Sequence, residues 1–249
     1  MSGSLVVVGT GPGKAELMTP ATQAALARAT DLVGYGPYLD RVPARDNQCR
    51  HASDNRVELE RARLALSLAA AGRQVVVVSG GDPGVFAMAA AVFEAVEAGD
   101  PAWRNLDIKV EPGVTAMLAA AAEAGAPLGG DFCALSLSDN LKAWSTVERR
   151  LKAAAEADFV IALYNPASKA RPHQLGQAFE LLRKVKAADT PVLFVRAAGT
   201  AEAKVVATTL GAADPSRADM RTLVIVGAST TRQVGRWVYT PRSERGAGA

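Results

Sequence analysis

The sequence predicts an α/β fold built as two domains, and three observations carry that expectation. Short, nearly continuous apolar runs such as LVVVG (5–9) and QVVVVSGG (74–81) have the composition of strands buried on both faces. Segments with helical character alternate with them, as layered α/β structure requires. The rhythm then stops at GAPLGGDF (125–132), a stretch rich in Gly and Pro, and restarts beyond it. Residues 1–124 are expected to form an N-terminal α/β domain and residues 125–240 a C-terminal one, with 241–249 as a disordered tail.

Each element has its own justification. After the first strand, TPATQAALARA (19–29) reads as a helix with Thr19 as N-cap and Pro20 at its first position. VELERARLALSLAAAG (57–72) is a second helix, with Gly72 as a natural stop. VFAMAAAVFEAVEAG (85–99) is a third, again ending in Gly, and LDIKVEPG (106–113) is a strand and turn. In the second half, FCALSLS (132–138), DFVIALYNP (158–166) and TPVLFVRAAGT (190–200) are strands, separated by helices over 145–156 and 172–187. KVVATTLGAA, TLVIVGAS and RWVYT then follow without long helices between them, which predicts an antiparallel edge to the second sheet. The sequence contains no tandem repeat.

Composition narrows the function classes. With 49% apolar and 21% charged residues, the chain is an ordinary globular one. Its formal charge of +3 is spread among interspersed acids and bases, unlike the basic block of a nucleic-acid tail. A mild positive field still favours an anionic small molecule. Cys49 and Cys133 make no disulfide framework, and no apolar run approaches a membrane span. LVVVG is too short for a signal-peptide core, so a cytoplasmic location is expected. His51 and His173 have no partners at metal-ligand spacing, so no protein metal site is expected.

Three glycine-bearing loops follow strands. In GTGPGKA (9–15), Gly9 and Gly11 match a dinucleotide fingerprint, but Lys14 stands where its last glycine belongs. A phosphate loop fails too, because Val8 and Ala15 occupy its required Gly and Ser/Thr positions, and Pro12 removes an N–H. SGGDPGVF (79–86) leaves a buried strand through Gly80, Gly81 and Asp82; the acid reads either as a ligand acceptor or as the cap of the next helix. EPGVTAMLAA (111–120) repeats the pattern, with Thr115 as N-cap or ligand contact.

Taken in order with YNP and VRAAGT, these loops resemble the tetrapyrrole methyltransferases that use S-adenosylmethionine, over roughly residues 4–240. VGYGPYLD (33–40), SLSDNLKAW (136–144) and YNPASKARP (164–172) are similar to one step of the corrin branch, a C-methylation coupled to contraction of the macrocycle. The resemblance implies two α/β domains with the cofactor in the cleft between them, a homodimer, a tetrapyrrole substrate, and S-adenosyl-L-homocysteine as the spent cofactor. By the same resemblance Pro12, Gly80, Gly81, Asp82, Val85, Thr115, Ala116, Asn165 and Gly199 are the cofactor contacts. Asn165 stands where uroporphyrinogen relatives carry an apolar residue, and Gly36 follows Tyr35 where they carry a proposed catalytic Asp. The departure at Gly36 speaks against the uroporphyrinogen step and removes the easiest candidate for a base.

Methyl transfer from a sulfonium to an electron-rich carbon needs alignment and exclusion of water more than a strong base. Ring contraction moves protons on and off oxygen, so acid–base groups are expected near the substrate. Tyr35, Asp139 and Lys142 are the candidates for that role, the last two as a coupled pair. Tyr38 is expected to stack on the macrocycle, and Lys169 and Arg171 to clamp its carboxylates. The competing readings are another step of the same family, diphthine synthesis, a nucleotide-binding oxidoreductase, or a non-catalytic ligand-binding module. Nothing in the sequence separates a metal-free from a cobalt-bearing substrate.

Overall fold

A computed structural model describes residues 3–54 and 57–243. Residues 244–249, most of the expected tail, lie outside the described residues. The chain divides into two units, Met1–Ala116 and Met117–Ala249.

The first unit contains β1 (Ser4–Gly9), α1 (Pro20–Arg28), β2 (Asp31–Tyr35), α2 (Gly36–Leu39), β3 (Cys49–Ser53), α3 (Glu58–Ala70), β4 (Gln74–Ser79), α4 (Met88–Ala98) and β5 (Asp107–Glu111). Its strands form a sheet in the order β3-β2-β4-β1-β5, parallel throughout. Leu5, Val7, Val8 and Val75 to Val78 are almost wholly buried, which explains their unbroken apolar runs. Helices cover both faces. Val7 and Val77 pack with Ala62, Leu66 and Val92 of α3 and α4, while Val8, Val76 and Val78 pack with Leu26 and Leu39 of α1 and α2. Each such side chain contributes about 1.5–3 kcal/mol by leaving water.

The helix ends obey their sequence signals. Thr19 Oγ1 accepts the Thr22 N–H at 3.2 Å, with Pro20 opening α1. After α3, Gly72 takes φ +86° while Gly72 and Arg73 donate to the Ala69 and Leu68 carbonyls, a Schellman stop. The third helix is shorter than expected. Phe86 has φ +52°, a left-handed conformation that no helix accepts, so α4 begins at Met88 and not at 85.

The second unit takes in most of α5 (Ala116–Ala124), then β6 (Gly125–Ala126), β7 (Phe132–Ser136), α6 (Trp144–Glu156), β8 (Val160–Tyr164), α7 (Gln174–Leu182), β9 (Pro191–Arg196), β10 (Lys204–Thr209), β11 (Thr222–Val226), β12 (Arg232–Val234) and β13 (Trp237–Tyr239). Its main sheet has the order β10-β9-β11-β8-β7. Only β7 and β8 pair in parallel; β11 runs against both β8 and β9, and β10 against β9. The antiparallel edge foreseen for KVVATT and TLVIV is therefore present. RWVYT does not join it: β13 pairs with β12 and, in parallel, with β6 of the Gly/Pro-rich stretch. The core under α6 and α7 is built from Leu151, Leu175, Phe179, Ile161, Leu163, Phe194 and Val224, with Phe179 edge-on to Phe194 at 6.0 Å. Among the described residues, no helix is long and apolar enough to cross a membrane.

Candidate functional site

Parallel strands release all their following loops at one edge, and in the first unit β4, β1 and β5 are neighbours. The three glycine loops must therefore meet. Gly11 N–H donates to the Gly81 carbonyl at 3.1 Å, and Gly81 N–H returns a bond to the Gly11 carbonyl at 2.9 Å. A Cβ on Gly9 would lie 2.5 Å from the Gly81 oxygen, and one on Gly113 only 2.2 Å from the same atom. These glycines let three backbones touch. The Thr10 amide and hydroxyl both donate to the Ser79 carbonyl, at 2.9 and 3.0 Å. The first loop thus directs the amides of Thr10 and Gly11 into its neighbour, which no phosphate cradle could afford, while Lys14 is exposed and Pro12 half-buried.

Asp82 is the second fastening. Its Oδ1 accepts the Gly84 N–H at 2.8 Å and its Oδ2 accepts the Gly113 N–H at 3.0 Å, tying the second loop to the third. It does not cap α4, whose N-cap is Ala87. Beside it Gly81, at φ +66°, would set a Cβ in ordinary van der Waals contact, with Thr115 Cα at 3.8 Å and the Ala116 amide nitrogen at 3.9 Å. Gly81, Thr115 and Ala116 therefore share one shelf, with Thr115 buried and Val85 half-buried nearby in sequence. Gly80 has a different task. A Cβ there would meet the Tyr38 ring at 2.7 Å, so Gly80 seats Tyr38. Tyr35 stands edge-on to Tyr38 at 5.4 Å, and the Arg41 guanidinium lies 5.5 Å above the same ring.

The second unit also gathers its candidates at a carboxyl edge, that of β7, β8 and β9. Here side chains do the fastening. Asn165, just after β8, has φ +51°, and its Nδ2 donates to Ser136 Oγ at 2.9 Å. Ser136 is buried at the end of β7 and also accepts the Ser138 N–H at 3.3 Å. Arg171 Nη1 donates to the Asn165 carbonyl at 3.2 Å, whereas Lys169 is exposed. After β9, Ala197 has φ +52° and Gly199 φ +72°. Two non-glycine residues held left-handed, after β8 and after β9, mark this edge as one shaped for something other than stability.

Asp139 and Lys142 do not form an ion pair among the described residues. Asp139 Oδ2 instead accepts from Gln174 Nε2 at 3.1 Å, and Gln174 Oε1 is buried with no partner among the described residues. Burial lowers the Lys142 ammonium from its ordinary value, and the Arg150 charge lowers it further. That arrangement supplies an amine closer to neutrality than a surface lysine. His51 Nε2 is engaged at 2.9 Å with Asp31 Oδ1 on the first sheet.

Ser136, Gln174 and Ala197 escaped the sequence reading. The serine of SLSDN was open to notice because it ends β7 opposite Tyr164, the residue that precedes Asn165. Ala197 gave no signal, since alanine carries no preference for positive φ.

Comparison with known proteins gives a consistent family. The family model described as tetrapyrrole (corrin/porphyrin) methylases matches residues 4–214. A precorrin-3B C(17)-methyltransferase from Sinorhizobium sp. is 60% identical over 252 residues, covering 99% of both chains. A probable cobalt-factor III C(17)-methyltransferase from Salmonella typhimurium is 44% identical, covering 96% of this chain and 98% of its own. Among solved structures, the methyltransferase CobJ superposes with a TM-score of 0.94 at 55% identity, covering 96% of this chain and all of that one.

Proposed function

The chain belongs to the tetrapyrrole (corrin/porphyrin) methylases, and from that membership we propose that it methylates precorrin-3B at C-17 in cobalamin biosynthesis, with contraction of the ring to precorrin-4. The observation that carries the reading is the 60% identity, sustained over 99% of both chains, to a protein of that activity.

S-adenosyl-L-methionine supplies the electrophilic methyl group and leaves as S-adenosyl-L-homocysteine. The first unit's loops suit it: a shelf without a side chain at Gly81, bordered by the backbone of Thr115 and Ala116, lets a ligand approach main chain closely. Pro12, Gly81, Asp82, Val85, Thr115 and Ala116 are its proposed contacts there. Asp82 acts by holding the second and third loops together through the Gly84 and Gly113 amides. Asn165 and Gly199 are the proposed contacts from the second unit, their left-handed backbones fixed by Ser136, Arg171 and the β9 turn.

Tyr35 and Tyr38 are proposed to face the macrocycle, Tyr38 through its ring and Tyr35 as a proton donor and acceptor. Gly80 takes its place in the reading as the seat of Tyr38. Lys142, lowered by burial, is the better base of the second unit, and Asp139, steadied by Gln174, the better acid partner. Lys169 and Arg171 are proposed to meet substrate carboxylates, Arg171 while it braces Asn165. A cytoplasmic homodimer completes the reading and rests on the family resemblance.

The test is direct. The purified protein is incubated with S-adenosyl-L-methionine and precorrin-3B, and mass and absorption spectrum are followed. One added methyl with the spectrum of a contracted ring is the expected result. No methylation overturns the step, and methylation without contraction removes the acid–base roles. A parallel arm with the cobalt-bearing substrate tests the second reading, which the 44% relative from Salmonella typhimurium favours.

A further inference from the structure

We propose that Arg61 of α3 is the receptor for a carboxylate of the tetrapyrrole, an anionic subsite at the carboxyl edge of the first unit's sheet. The inference rests on the substrate class proposed above. Arg61 is only 4% exposed, and the charges of Glu58 and Asp54 reach it, yet among the described residues neither closes an ion pair with it within 4 Å. A buried guanidinium with no carboxylate in direct contact is costly, and an arriving anion would relieve that cost.

Its hydrogen bonds are also incomplete. Of its five N–H donors, Nε reaches Ser53 Oγ at 2.8 Å and Nη2 reaches the Asp54 carbonyl at 2.5 Å. Nη1 points at Met88 Sδ, 3.2 Å away. A thioether is a weak acceptor on a flexible, unbranched side chain, so an arriving carboxylate displaces it easily. The two remaining donors complete a bidentate pair, the geometry for which guanidinium is suited. The segment that supplies Met88 is itself held off its preferred conformation, with Phe86 at φ +52° and half exposed.

Location agrees with this role. Ser53, which Arg61 holds, is the register partner of Tyr35 across the β2–β3 pair. Burial lowers the guanidinium from its ordinary value, and Glu58, Tyr38 and Asp54 all lie within its electrostatic reach. The cation therefore lies beside the two tyrosines proposed to face the macrocycle, whose rim carries the acetate and propionate groups.

The deciding experiment compares Arg61→Met with wild type for binding of precorrin-3B and of its fully esterified form. The expected result is at least a tenfold loss for the free acid and less than a twofold change for the ester. S-adenosyl-L-homocysteine affinity should stay unchanged, while the thermal midpoint should fall modestly because the Ser53 hydroxyl and the Asp54 carbonyl lose the Arg61 donor. Equal losses for acid and ester, or none for either, overturn the proposal. Arg61→Lys guards against a folding failure of the first variant: it keeps the charge but loses the fork, so it should show an intermediate loss confined to the acid. Wild-type protein that ignores precorrin-3B altogether rejects the parent reading, whereas a wild type that methylates it while Arg61→Met binds the acid normally rejects the subsite alone.

Discussion

The two carboxyl edges solve one problem in different ways. In the first unit, all-parallel pairing brings three loops out side by side, and they lock backbone to backbone through Gly9, Gly11, Gly81 and Gly113. In the second, antiparallel β11 lies between β8 and β9, so their following loops leave the sheet one strand apart. The loops after the neighbouring parallel strands β7 and β8 are tied there by side chains, Asn165 to Ser136 and Asp139 to Gln174, and Asn165 and Ala197 are left-handed. One edge is thus fastened by the absence of side chains and the other by their presence.

That contrast is broken most severely at Gly113. Gly113→Ala places a methyl 2.2 Å from the Gly81 oxygen with only backbone around it. The expected cost is at or beyond the upper end of the roughly 1–3 kcal/mol seen for overpacked sites, with loss of S-adenosyl-L-methionine binding. Gly81→Ala makes ordinary van der Waals contact and suffers only its φ of +66°, about 1–2 kcal/mol. Denaturant midpoints and calorimetric titration of the two variants check the order; a milder effect at Gly113 would mean that the loops do not depend on backbone contact.

The amino edges, by contrast, are alike, and pH tests that likeness. Asp31 accepts from Arg73 Nε at 2.7 Å, His51 and Thr30 Oγ1. Asp158 accepts from Lys186 Nζ at 2.9 Å and from Ser229. Burial raises each carboxyl, but the hydrogen bonds outweigh it and hold both below the ordinary value of 3.8. A depressed folded-state pKa means that the stabilisation is fully present well above 3.8 and disappears as pH falls through the lower folded value. Asp31→Asn and Asp158→Asn should each destabilise at pH 7, by roughly 3 kcal/mol at most because one partner of each pair is half exposed. The difference from wild type should vanish in strong acid. Urea melts at pH 7 and below pH 3 measure it, and a difference that grows on acidification would reverse the assigned sign.

A smaller effect separates the edges again at Asn165. Asn165→Gly removes the tie to Ser136 but relieves the left-handed backbone, while Asn165→Ala removes the tie and keeps the strain. Alanine should be worse than glycine by about 1 kcal/mol. Ser136→Ala, which leaves both the Asn165 amide and the Ser138 N–H without an acceptor, should cost about 1 kcal/mol and weaken cofactor binding. Thermal midpoints rank the three; equal values for Gly and Ala would show that Asn165 carries no strain.

The same contrast explains what the sequence disclosed. Strand runs, Thr19-Pro20 and Gly72 are local signals, and the glycine loops of the first unit are visible because glycine is the only residue that permits such approach. The pairing of Asn165 with Ser136 joins positions 29 residues apart and has no local signature. Nor could composition show that Gly80 serves Tyr38, that Asp82 reaches Gly113, or that Asp139 prefers Gln174 to Lys142, since each depends on which loops the topology brings together.

Lys14 supplies the last and smallest prediction, because it is the residue that makes GTGPGKA look like a phosphate loop. A phosphate loop works through free amides converging on an anion, with the lysine completing the charge. Here the Thr10 and Gly11 amides are already bonded to the Ser79 and Gly81 carbonyls, and Pro12 has no amide hydrogen to offer. Lys14 is exposed and has no anion-binding frame to complete. Lys14→Ala should therefore change stability by less than about 0.5 kcal/mol, as surface substitutions do, and leave S-adenosyl-L-methionine affinity within twofold by titration. A tenfold loss of affinity would mean that the loop opens toward an anion after all, and that the glycine-to-glycine contact between Gly11 and Gly81 yields when ligand binds.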